Sequence, residues 1–181
     1  MLSKIYDPLI SLAFPQACEN CLENVEHSAD GIACRNCWTR SRLFIGNEIL
    51  CHKCGRFLGD GTIARQTFCH QCDDHFYDRA AACGLYSQAL AASVLHLKHD
   101  PFIARSLEKI FVERFRSANF PAPDAVFPVP LSKQRKRERG FNQAAVLTDI
   151  LVRETGLTAD KQSLIRKIHT PRHRAGMDRK T

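Results

Sequence analysis

Hydrophobic positions follow a helical rhythm at both ends of the chain and lose it in between. Leu2, Ile5, Leu9, Ile10 and Ala13 recur at the spacing of one helix face, which predicts a short amphipathic helix within residues 1–15, ended by Pro15. From Cys18 to Cys72 the periodicity is weak and Gly and Asn are frequent, the pattern of a module with little apolar core of its own. After Tyr77 the rhythm returns. Residues 79–86 predict a short strand, and residues 88–98 a helix carrying Leu90, Val94, Leu95 and Leu97. Pro101 suits the first turn of a further helix with Ile103, Leu107, Ile110, Phe111 and Phe115 on one face.

Beyond a Pro-containing linker at 120–123, Ala125 to Phe127 predicts a buried strand that Pro128 and Pro130 cut short. Ser132 to Arg139 is expected as a charged loop, followed by Gly140. Val146, Leu147, Ile150 and Leu151 define another helix face. Asn142 suits its N-cap, Phe141 and Val146 a hydrophobic staple, and Gly156 its C-terminal glycine. Ser163 to Ile168 predicts a second strand, and the tail from Thr170 is basic with few apolar residues. Strand, loop, helix and strand open an α/β unit with a parallel sheet.

Composition narrows the class. The chain has 181 residues, 44% of them hydrophobic and 25% charged, which excludes wholesale disorder. No apolar stretch approaches the roughly 18 residues of a membrane span. Tyr6, Asp7 and Pro8 break the N-terminal apolar run, so it makes a poor signal peptide.

Cysteine changes the picture most. Eight of the 9 cysteines form C-x-x-C pairs, Cys18/Cys21, Cys34/Cys37, Cys51/Cys54 and Cys69/Cys72, separated by 12, 13 and 14 residues; Cys83 stands alone. A C-x-x-C turn converges two thiolates on one ion, and two turns complete the tetrahedral set of structural zinc. Four turns imply two closed sites with no open coordination position, hence structural rather than catalytic ions. Pairing in chain order is the simplest; interleaved pairing, first with third and second with fourth, fits the spacing too. Iron–sulfur ligation is the chemical rival, and the even gaps with hydrophilic excursions favour zinc. Bound metal and a leftover thiol point to a reducing, cytoplasmic setting. His52 and His70 sit inside C-H-K-C and C-H-Q-C turns as exposed turn residues, and Cys83 is expected to be a small buried apolar residue.

Charge is segregated. Residues 131–181 carry 13 Lys and Arg against 5 Asp and Glu, whereas residues 1–130 carry 13 against 14. Zinc ligation by eight thiolates would lower the first part further. The basic excess therefore lies in the last third, where it suits anionic partners or simply a solvated basic face.

The run Asp124-Ala-Val-Phe-Pro-Val-Pro-Leu131, then Arg135, then Arg139-Gly-Phe-Asn-Gln143, closely resembles the signature of the ComF family, competence-associated proteins related to phosphoribosyltransferases. The N-terminal helix before cysteine knuckles, Leu97-Lys98 and the Arg166 to Thr170 segment resemble the family in the same order. The resemblance implies an α/β protein. It would comprise an N-terminal helix (1–15), a double zinc-ribbon module (16–77) and an incomplete type I phosphoribosyltransferase-like parallel-sheet domain (78–181). It also implies a role in DNA uptake or handling, with single-stranded DNA, a DNA-handling protein or a phosphate- or pyrophosphate-bearing ligand as partner. Arg135 and Arg139 are then the expected anion contacts, Gly140 permits close backbone approach, and Asn142 and Gln143 serve as cap or support. Lys133, Lys136 and Arg137 lie outside the pattern and are expected to be solvated.

Two departures bear on activity. The run Thr170-Pro-Arg-His-Arg174 lacks the family's following glutamine. The acidic pair and Thr/Gly turn that hold phosphoribosyl diphosphate are missing as well; Asp73-Asp74 and Asp60-Gly-Thr62 follow no apolar strand. The chain is thus expected to be truncated before that loop and to be inactive as a transferase. Phosphoribosyl diphosphate and magnesium would belong only to a complete homologue. The other reading is a zinc-ribbon module that binds single-stranded nucleic acid or recruits a partner, without catalysis.

Overall fold

The computed structural model describes residues 15–61, 65–72 and 76–170; the expected helix before Pro15, Asp73-Asp74, Thr62 and the basic tail after Thr170 lie outside them. The chain divides into two compact units, Met1–Pro123 and Asp124–Thr181. Residues 78–123 belong to the same unit as the cysteine-bearing segment.

In the first unit, two knuckles are built alike. The N–H of Cys18 donates to the carbonyl of Glu23 at 2.7 Å, and that of Leu22 to the carbonyl of Cys18 at 2.8 Å. In the second, Cys51 N–H donates to Arg56 at 2.8 Å and Gly55 N–H to Cys51 at 2.9 Å. The residue after each second cysteine takes a left-handed conformation, with φ of 67° at Leu22 and 68° at Gly55. A helical turn follows each knuckle. Cys34 is the N-cap residue of α1 (Arg35–Arg40), with Cys37 inside that helix, and Cys72 closes the 3-10 turn His70–Cys72. Strands β1 (Glu48–Leu50) and β2 (Phe57–Asp60) pair antiparallel around the second knuckle, with a bulge between Ile49 and Leu50. Phe44 stacks on Phe57 with ring centres 5.9 Å apart, and the Arg42 guanidinium covers the Phe57 ring.

Helix α2 (Gln88–His96) lays Ala89, Leu90, Ala92 and Ser93 into the core, and α3 (Arg105–Ser117) follows. The start of α3 differs from expectation. Pro101 precedes an extended stretch and the helix begins only after Ala104. The expected strand over 79–86 is likewise reduced to one antiparallel bridge between Leu43 and Gly84. A Cβ at Gly84 would meet the Arg42 carbonyl oxygen at 2.2 Å, so the chains cross there too closely for a regular ladder of side chains. The core itself is unusual in being made of candidate ligands. Cys18, Cys34 and Cys37 cluster with Val25, Ile32, Ala33, Ala89 and Ala92, and with Cys21 and Trp38 at the margin.

In the second unit, α4 (Lys133–Arg139) occupies the segment expected as a charged loop. Ser132 caps it by accepting from Arg135 N–H at 3.3 Å, and Gly140 ends it at φ 79°. Its Lys, Gln, Arg and Glu residues are good helix formers but carry no apolar stripe for periodicity to detect. Helix α5 (Gln143–Thr155) starts and stops where its sequence signals lie. Asn142 Oδ1 accepts from Ala144 N–H at 3.1 Å, and Gly156 is left-handed at φ 73°.

The strand expectations are met only by a parallel bridge, Val126 with Ala159. Val126 N–H donates to Thr158 at 2.8 Å, and Asp160 N–H returns to Val126 at 3.0 Å. Residues 163–168 form no strand, because Asp160 accepts from the N–H groups of Gln162 and Ser163, both at 2.9 Å, and turns the chain first. Among the described residues the only sheet is β1–β2; a phosphoribosyltransferase-like parallel sheet is not present in them.

Candidate functional site

The eight paired cysteines gather in chain order into two tetrads, Cys18, Cys21, Cys34 and Cys37, and Cys51, Cys54, Cys69 and Cys72, the sulfurs of each lying within 4.8 Å of one another. Knuckle and helical turn supply two sulfurs apiece, because both geometries fold a C-x-x-C segment back on itself. The sulfur separations are 3.7 Å for Cys18–Cys37 and 3.5 Å for Cys21–Cys34. In the second tetrad they are 3.4 Å for Cys51–Cys72, 3.6 Å for Cys54–Cys69 and 3.3 Å for Cys69–Cys72. A tetrahedral ion with Zn–S bonds of about 2.3 Å would set its sulfurs roughly 3.8 Å apart. A disulfide would bring two of them to about 2.05 Å, and all nine cysteines are free. Each tetrad could therefore hold a structural zinc ion, as in a double zinc-ribbon module.

The surroundings favour thiolate at the first cysteine of each knuckle. Asn20 Nδ2 donates to Cys37 Sγ at 3.1 Å, and Cys69 N–H to Cys51 Sγ at 3.4 Å. Burial pushes the Cys18 thiol up, but the N–H groups of Cys34, Asn20 and Cys21 outweigh it and bring it down to about 6. Burial acts in the same way on Cys51, and the N–H groups of Cys54 and Cys69 bring that thiol down to about 6 as well. These are equivalent positions in the two knuckles. Cys21 goes the other way: the Glu23 N–H pulls it down, yet burial and the thiols of Cys37, Cys34 and Cys18 leave it at about 12. Burial and the neighbouring thiols also raise Cys72. Four close thiols cannot all ionise without a cation among them, which is what a divalent metal provides.

His52 meets Phe68 edge-on, with ring centres 5.8 Å apart, and is not a member of a tetrad. Cys83 is half-buried, and burial raises its thiol.

The residues carrying the expected anion site lie in the second unit, where Arg135, Arg139 and Asn142 hydrogen-bond to the unit's own groups. Arg135 donates to the Thr170 carbonyl at 2.9 Å and Arg139 to Gln143 Oε1 at 2.8 Å. Asn142 caps α5 and also donates to the Val129 carbonyl at 3.0 Å. A Cβ on Gly140 would meet no atom of the protein within 4 Å, and its φ of 79° makes the left-handed turn that ends α4. Beside these residues runs a groove of about 840 Å3 between α4 and the 161–169 segment. Lys133, Lys136, Arg137, Lys161, Arg166 and Lys167 line it together with apolar side chains, and no Asp or Glu does. Lys133, Lys136 and Arg137, expected from sequence to be merely solvated, thus share a wall of this groove. Their common face exists only because the segment is a helix, which a loop reading conceals.

No helix among the described residues is long and apolar enough to cross a membrane. The chain matches no protein-family model, no curated protein and no solved structure.

Proposed function

We propose that this protein is a cytoplasmic, nucleic-acid-handling protein of the ComF type. Its first unit is a scaffold stapled by two structural zinc ions, and its second unit binds phosphate. The single observation that supports this reading is the groove of the second unit, with six cationic and no acidic side chains in its lining. Arg135, Arg139, Gly140, Asn142 and Gln143 frame that unit. The residues described contain no acidic pair followed by a Thr/Gly turn on a strand end, so the reading assigns this chain binding without transferase turnover.

Binding of a fluorescent oligothymidylate to the zinc-loaded full chain, titrated over about 50–200 mM salt, tests the reading. The expected result is an affinity whose logarithm falls linearly with the logarithm of salt concentration, as counterion release requires. An affinity independent of salt, or no binding, would overturn it.

A further inference from the structure

Arg135 and Arg139 are spaced by four residues on α4, and so are Lys133 and Arg137, with Lys136 three residues after Lys133. Helical geometry places each set on its own face. One face is committed to the protein through Thr170 and Gln143. The other lines the groove and is exposed. Across the groove, Lys161 pairs with Asp149, and Arg166 donates to the Ile168 carbonyl and Thr170 Oγ1. The side chains of Lys133, Lys136, Arg137 and Lys167 make no hydrogen bond or ion pair with any described residue.

We infer that these four cations form a sequence-tolerant site for the sugar-phosphate backbone of a single nucleic-acid strand, with Arg135 and Arg139 as positioning residues. The inference rests on the reading of the second unit as phosphate-binding and names the groups that do it. Three observations select a strand over a small anion or a duplex. The cations are exposed on long side chains along two walls, instead of converging on one buried point as small-ligand sites do. The groove exceeds what one pyrophosphate fills. Its apolar part, Pro128, Pro130, Leu131, Leu164 and Ile165, meets the faces of unstacked bases, which a duplex keeps inside its stack. His169 lines it and no Phe, Tyr or Trp does, so the strand is held mainly through its backbone rather than on a stacking platform.

The test uses the zinc-loaded full chain and an oligothymidylate of about 12 nucleotides. Combining Lys133→Ala, Lys136→Ala, Arg137→Ala and Lys167→Ala should flatten the slope of log affinity against log salt. The slope should change by about 0.7 for each phosphate no longer neutralised, roughly 3 in all. Arg135→Ala and Arg139→Ala, tested singly, should keep most of the slope while lowering the melting temperature of the protein. Inorganic pyrophosphate should compete weakly, and a duplex of the same length should bind less tightly than the single strand. If the fourfold variant keeps its slope while Arg135→Ala and Arg139→Ala lose theirs, this site is wrong and phosphate binding by the unit stands. Saturable binding of pyrophosphate alone, or equal binding of duplex and strand, overturns the strand assignment. Absence of binding to both pyrophosphate and oligonucleotide overturns the site and the broader reading together.

Discussion

The side-chain amide of Asn20 stands 3.1 Å from Cys37 Sγ, and the same nitrogen reaches Gln88 Oε1 at 2.9 Å. One residue inside a knuckle thus joins the first tetrad to the start of α2. A second path runs beside it: Ala89 N–H donates to Ser41 Oγ at 3.2 Å, and Ser41 Oγ–H donates to the Cys37 carbonyl at 2.9 Å. At the far end of α2, His96 Nδ1 lies 2.7 Å from Glu19 Oε1, next to Cys18. The helix is tied to the candidate metal centre at both ends. Gln88 holds a left-handed φ of 50° at this junction, a conformation that persists only where its surroundings fix it.

Asn20→Ala should therefore act on both metal and fold. Losing the donor to the Cys37 sulfur should lower zinc affinity of the first tetrad by about 10- to 100-fold, the usual effect of removing a hydrogen bond to a ligand. The missing hydrogen bonds should lower stability by about 1–2 kcal/mol. Zinc competition with a chromophoric chelator, run beside thermal melting, reads the two effects separately. Unchanged affinity in a destabilised variant would assign Asn20 to packing alone.

Leu22 and Gly55 occupy equivalent knuckle positions and should respond in opposite senses. Leu22 is 80% exposed, so Leu22→Gly gives up little burial while relieving a left-handed side chain that costs about 1–2 kcal/mol. Set against about 0.5–1 kcal/mol of added chain entropy, the variant should gain up to about 1.5 kcal/mol. Gly55→Ala should lose about 1–3 kcal/mol, since its Cβ would lie 2.9 Å from the Ala80 carbonyl oxygen in a backbone region hostile to side chains. Denaturation at fixed zinc decides it, and shifts of the same sign would show that the two knuckles are not equivalent.

Asp160 ends the short parallel pairing of the second unit. The Ser163 hydroxyl and the N–H groups of Ser163 and Gln162 hold its carboxyl below the ordinary range. A depressed carboxyl stabilises the folded state fully above the ordinary value and loses that contribution as pH falls below about 4. The Gln162 and Ser163 amide resonances should accordingly titrate together, with a midpoint below that of a free aspartate, and Asp160→Asn should abolish the transition. A midpoint at or above the free value would mean that the turn is not formed in solution.

The cysteine tetrads were legible from spacing, because the chemistry demands four sulfurs and the chain offers two adjacent sets. Their grouping needed the fold, since chain-order and interleaved pairing satisfy the same spacing. Helix α5 was legible end to end, with Asn142, Gly156 and an apolar stripe all agreeing. Helix α4 was hidden because Lys133 to Arg139 contains no apolar residue, although Ser132 and Gly140 flank it as cap and stop. Without the helix, the cations that share a face stay hidden too. The strands at 79–86 and 163–168 failed for a different reason: Gly84 and Asp160 impose a close crossing and a turn, and these override local β preference.

Native mass spectrometry of the reduced, full-length protein tests the two-centre account most directly. The expected species carries two zinc ions and has given up the protons of the ligating thiols. Cys18→Ser should weaken one ion and Cys51→Ser the other, each leaving the second centre filled. A protein that binds iron instead, that retains one ion or none with all thiols reduced, or in which either substitution empties both centres, would contradict it.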